Sequence, residues 1–156
     1  MSTILGIDPG PTRSAIVELT DGAVTCRDDQ SNDWVLGYLR AVLTSTRVAI
    51  ENIEPRYGVP VGWETLDTAR WVGRFQQAAT PADVTLLKRS DILRHFGIAP
   101  KANADSGIRA CLMDRFGGAA SVRKGGPLYG IVTHRWAALS VAVCYQETHT
   151  GGGSDV

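Results

Sequence analysis

The residues best placed to do chemistry are two carboxylates, each closing a short apolar run. Ile4-Leu5-Gly6-Ile7 leads into Asp8, and Val48-Ala49-Ile50 leads into Glu51. Apolar runs of this length, bounded by turn residues, read as buried strands. Pro9 and Gly10 follow Asp8 directly. Proline fixes φ and glycine admits positive φ, so the chain must turn there. A glycine turn at a strand end also lets a ligand come close to the backbone. Taken alone, Asp8 reads as a carboxylate that caps such a turn. Two acids ending two buried strands suggest that both converge on one end of a parallel sheet, where sites of α/β proteins commonly form.

The charge distribution bears on what such a site would face. The formal net charge is zero, yet between Lys88 and Lys124 there are eight Lys/Arg against three acids, an excess of five that the remainder offsets. This segment includes Lys101, Arg109, Arg123 and Lys124. A basic segment on a neutral chain suits a phosphate-rich partner; a solvated face reads the same way. With 156 residues and 44% apolar content, the chain can bury one sizeable core. We expect one domain over 1–148 and a disordered Gly-rich tail over 149–156. No leader pattern opens the chain, and no apolar run approaches the roughly 18 residues of a membrane span. The expectation is a soluble, cytoplasmic protein without membrane contact. The cysteines, Cys26, Cys111 and Cys144, are odd in number and lack CxxC spacing, which speaks against a disulfide framework or a zinc site.

The elements that must position these residues follow from periodicity. Ala15 to Leu19 reads as a strand returning beside the first. Asp21-Gly22 signals a hairpin into a third strand from Ala23 to Arg27. Ser31 to Asp33 offers a helix N-cap, and Val35, Leu39, Val42 and Leu43 form one apolar stripe behind it. Gly62 to Gln77 reads as a helix with its stripe at Leu66, Ala69, Val72 and Phe75, closed by Thr80-Pro81. Trp71 reads as packing. Val84 to Leu87 is a fifth strand, and Ser90 to His95 a short helix. Ile108, Leu112 and Phe116 define a helix from about Asp105, ended by Gly117. Gly118 to Gly130, rich in glycine around Arg123 and Lys124, reads as a mobile basic loop. Thr133 is expected to cap a last helix that begins with His134 and carries Ala137, Ala138, Leu139, Val141, Ala142 and Tyr145.

Three strands, helix, strand, helix, strand and further helices is the ribonuclease H-like order. Gly6-Ile7-Asp8-Pro9-Gly10 resembles the first motif of RuvC-type Holliday-junction resolvases, and Val48-Ala49-Ile50-Glu51 resembles their second. Lys101 to Arg109 resembles their basic segment, and His134 to Ala142 their final helix. Trp71-Val72-Gly73-Arg74-Phe75, Met113-Asp114-Arg115-Phe116-Gly117 and Trp136-Ala137-Ala138-Leu139 look most like the phage-encoded branch. The resemblance spans about residues 3 to 146. It implies an α/β ribonuclease H-like fold with a five-stranded mixed sheet flanked by helices. It further implies a homodimeric, structure-selective endonuclease that cuts four-way or branched DNA, in a bacterial or phage-infected cell.

The same resemblance implies hydrolysis with two Mg²⁺ or Mn²⁺ ions, Asp8 bridging both and Glu51 holding one. The family usually carries two acids on its final helix at i and i+3. Here those positions hold His134 and Ala137. His134 would then be the third ligand, tilting the site toward Mn²⁺, or a general base. Asp105 is a possible further acid, although it aligns where cellular resolvases carry lysine; its other reading is a first-turn helix charge. Lys101, Arg109, Arg123 and Lys124 are the candidate DNA contacts. Two alternatives stand beside this. One is a non-catalytic junction-binding protein, motivated by Ala137. The other is an ATP-binding module of the actin and sugar-kinase type, which also opens with a strand and Asp-x-Gly but needs two such domains.

Overall fold

Strand alternation builds the molecule. In the computed structural model, which describes residues 1–150, the strands β1 (Thr3–Asp8), β2 (Arg13–Thr20), β3 (Ala23–Ser31), β4 (Arg47–Asn52) and β5 (Asp83–Lys88) form one mixed sheet. Its order is β3-β2-β1-β4-β5. β1, β2 and β3 run antiparallel, and β4 and β5 continue parallel to β1. The β2–β3 hairpin turns at Asp21 and Gly22, both at positive φ, as a two-residue turn of matching twist requires. β3 is longer than its apolar content foretold, because its ladder with β2 extends to the Arg13–Ser31 pair.

Successive side chains on β1 point to opposite faces. Leu5 and Ile7 join a core with α1 (Asn32–Ala41) and α2 (Trp63–Ala79), including Val35, Leu39, Val72 and Phe75. Ile4 joins the other core, built with α3 (Arg89–His95), α4 (Ala104–Arg115) and α5 (Arg135–His149). α5 is buried on nearly every side from Ala138 to Tyr145, so it reads as an apolar run and not as an amphipathic stripe. The three cysteines are free.

Several expectations are corrected. α1 is capped as foreseen, with the Ser31 hydroxyl accepting from the Trp34 N–H. It stops at Ala41, however, and Val42 turns extended, which leaves Leu43 out in solvent while Leu36 completes the stripe. On α2 the buried positions are Thr68, Val72, Phe75 and Ala79; Leu66, Ala69 and Trp63 are exposed. Gly118 to Gly130 is not loose. It forms a 3₁₀ turn over Gly118–Val122, closes successive backbone turns and sends Leu128 into the core, with Ile131 just beyond. Thr133 does not cap α5: its φ is +48°, and His134 is the N-cap residue, with no side-chain capping bond. α5 reaches His149, inside the stretch expected to be tail; the remainder, 151–156, lies outside the described residues.

Candidate active site

Alternation also decides where the acids point. Asp8 shares the parity of Ile4 and Gly6, and Glu51 that of Ala49, so both project to the α5 face. They lie one step beyond the Ile7–Ile50 pair at the carboxyl ends of two adjacent parallel strands. Gly6 lets α5 come close. A Cβ there would stand 2.4 Å from the Ala138 carbonyl oxygen and 2.8 Å from the Ala142 Cβ. That contact lays the start of α5 over the strand ends and brings His134 to Asp8, with Nδ1 3.2 Å from Oδ2. Thr133, held at left-handed φ, redirects the chain just before it; a non-glycine residue keeps such a conformation only when its surroundings enforce it.

The turn after Asp8 is locked from below. The buried Ser14 hydroxyl donates to Asn32 Oδ1 at 2.6 Å, Asn32 Nδ2 donates to the Gly10 carbonyl at 2.9 Å, and the Gly10 N–H donates back to Ser14 at 3.2 Å. Every polar atom of this small cycle has a partner, which makes it rigid. Across the site, Glu54 accepts from both the N–H and the hydroxyl of Ser90, each at 3.0 Å, tying the chain after β4 to the start of α3.

The site opens into a cleft of about 1360 Å³. Burial pushes the Asp8 carboxyl up, while the His134 and Arg89 charges act against that shift. Glu51 is pushed up to about 7, first by burial and then by the neighbouring Asp8 charge. Neighbouring desolvated carboxylates disfavour each other's ionisation, and a bound cation relieves that. Their oxygens suit a hard divalent ion. Mg²⁺ typically takes one or two carboxylates and leaves its other positions to water and substrate phosphate. Asp8 and Glu51 fit that pattern. Among the described residues no three His, Cys, Asp or Glu side chains close on one point. His134 is engaged with Asp8 and is otherwise open to solvent, its side chain 76% exposed.

Of the other expected residues, Lys101 and Arg109 line the cleft, and the Arg109 guanidinium lies 4.9 Å over the Trp136 ring. Asp105 also lines it, but its carboxylate pairs with Arg89. Ala137 faces the cleft without offering a ligand atom. Arg123 and Lys124 are exposed and stand outside the cleft wall. Sequence reasoning missed Arg89, Ser14, Asn32 and the Glu54–Ser90 bond. Arg89 could have been found: it follows the third parallel strand just as Asp8 and Glu51 end theirs. Nothing local marked Ser14, whose partner is 18 residues away.

No protein-family model and no curated protein matches the chain. Solved structures do. Thermus thermophilus RuvC aligns over 96% of both chains at a TM-score of 0.71 and 15% identity. T. thermophilus RuvC in complex with a Holliday-junction substrate aligns over 97% of both chains at a TM-score of 0.67 and 14% identity. The chain has a RuvC-like, ribonuclease H-like fold.

Proposed function

We propose that this protein is a metal-dependent, structure-selective DNA endonuclease that hydrolyses phosphodiesters at four-way or branched junctions. The observation that carries the proposal is the Asp8–Glu51 pair, desolvated at adjacent strand ends and opening into a cleft walled by Lys101 and Arg109. The RuvC-like fold supports it, since a protein of that fold is known with a Holliday junction. Asp8 and Glu51 would hold the cations. When bound, two Mg²⁺ or Mn²⁺ ions supply charge neutralisation and water activation. His134 orients Asp8 through its Nδ1 contact and presents its outer nitrogen to the cleft as a further ligand or proton acceptor. Lys101 and Arg109 bind phosphates, and Arg123 and Lys124 extend that footprint along a duplex arm.

The protein acts as a homodimer in this reading, because two related strands must be cut. An uncovered apolar run supports it: Tyr57, Val59, Val61, Trp63 and Leu66 are all exposed from the chain after β4 into the first turn of α2. In this reading, which draws on the motif resemblance to the phage-encoded branch, the protein works in the cytoplasm of a bacterial or phage-infected cell. A second reading, junction binding without cleavage, is favoured by one observation, the absence of a third converging ligand among the described residues. The two part on one assay. Asp8→Asn and Glu51→Gln should abolish cutting of a labelled four-way junction in Mg²⁺ or Mn²⁺ and leave binding within severalfold, since phosphate contacts dominate affinity. A variant that cuts at the wild-type rate removes its residue from the site. A wild-type protein that binds but never cuts leaves the second reading.

A further inference from the structure

Among the described residues, the Lys and Arg side chains lining the cleft are exposed at Arg56, Lys101 and Arg109. Arg89 differs, with only 28% of its side chain exposed. It begins α3 directly after β5, whose Lys88 pairs with Asn52 of β4, so it sits at the same sheet end as Glu51 and Asp8. Its charge is felt by both carboxylates. Its guanidinium donates through one terminal nitrogen to Asp105, in the first turn of α4. Asp105 is 85% exposed. The pair is therefore lopsided: a half-buried cation within the acidic site, tethered from outside by a solvated acid.

An exposed ion pair contributes little stability, so a helix staple is a weak account of this arrangement. A guanidinium has five N–H donors in a planar fork. The tether engages Nη2, and among the described residues Nη1 makes no hydrogen bond. Such a fork matches the oxygens of a phosphodiester. A free arginine beside divalent cations would be repelled from the site; one held by a carboxylate would remain.

We propose that Arg89 is a substrate-binding residue: tethered by Asp105, its guanidinium donates to a non-bridging oxygen of the phosphodiester presented to Asp8 and Glu51. Asp105 is then a positioning residue for a cation, and not a ligand for a metal. This rests on the nuclease reading given above.

The test uses Arg89→Gln, Arg89→Lys and Asp105→Asn in the full chain, checked for native fold by circular dichroism. Two quantities are read: cleavage of a synthetic four-way junction, split into kcat and KM, and Mn²⁺ affinity of the DNA-free protein by calorimetry. Arg89→Gln should lower kcat about a hundredfold, the usual loss for one transition-state donor. Arg89→Lys should recover part of it. Asp105→Asn should lose severalfold only, because the amide oxygen can still accept from the guanidinium and holds it in part without the charge. Neither Asp105→Asn nor Arg89→Gln should weaken Mn²⁺ binding by more than twofold. Equal losses in Arg89→Gln and Asp105→Asn, without recovery by lysine, would reduce the pair to a staple and overturn the inference. A tenfold loss of Mn²⁺ affinity in Asp105→Asn would make Asp105 a ligand and overturn it too. Arg89→Gln cutting like wild type overturns this inference alone, whereas a wild-type protein that cuts no junction takes the nuclease reading down with it.

Discussion

At the scale of the residue, Glu51 sets the pH behaviour. Its native carboxyl titrates near about 7 because burial and the Asp8 charge disfavour ionisation. In the unfolded chain it titrates near ~4.3. Between those values the native state holds a proton that the unfolded state has lost, so stability falls as pH rises through this window. The stabilisation present below the unfolded value is lost above about 7, an effect on the order of 3 kcal/mol. Glu51→Gln, always neutral, should therefore melt higher than wild type at pH 8 in EDTA and lose that advantage at pH 5. Thermal melts at both values check this, and a Gln variant no more stable at pH 8 refutes the assignment. Saturating Mg²⁺ should narrow the gap at pH 8, since a bound cation stabilises only the protein that can hold it.

At the scale of the element, the contact between β1 and α5 carries the site. Gly6 is required there by proximity: the Ala138 carbonyl lies where its Cβ would be. Gly6→Ala must push α5 outward or strain the strand, at roughly 1–3 kcal/mol. It should also separate His134 from Asp8 and lower cleavage beyond what the stability loss explains. The same substitution at Gly37, exposed in the middle of α1 with nothing within 4 Å of a new Cβ, should stabilise by up to about 1 kcal/mol. Unfolding midpoints of the two variants should move in opposite directions. If Gly6→Ala is neutral, α5 does not press on β1 as described.

At the scale of the whole molecule, the apolar run from Tyr57 to Leu66 is exposed among the described residues, with Val59 and Val61 at the cleft wall. Tyr57 is 107% and Trp63 74% exposed. Large exposed apolar patches mark interaction surfaces more often than chance. If a second copy covers it, light scattering should find a dimer at micromolar concentration, and Trp63→Glu with Leu66→Glu should shift it to monomer with little change in melting temperature. A wild-type monomer at tens of micromolar removes the dimer from the proposal. No helix among the described residues is long and apolar enough to cross a membrane.

The strands, their acids and the hairpin were legible because each is a local signal: an apolar run of period two, a carboxylate after it, Asp-Gly at positive φ. Chain order and motif spacing carried the fold resemblance for the same reason. What local signals could not carry was contact between distant segments. The stripe on α2 differs from the expected one because the helix turns Thr68, Val72, Phe75 and Ala79 inward, the last three into the core shared with α1, and leaves Leu66 exposed. The segment from Gly118 to Gly130 has the composition of a loose loop, yet Leu128 finds a pocket in the core. Asp105 looked like a spare acid, and only the fold sets it against Arg89, 16 residues earlier. Sequence alone determined which residues end the central strands. Tertiary structure decided which of them meet, because a side chain's charge state and partners depend on packing that brings together groups as far apart as Asp8 and His134, 126 positions along the chain.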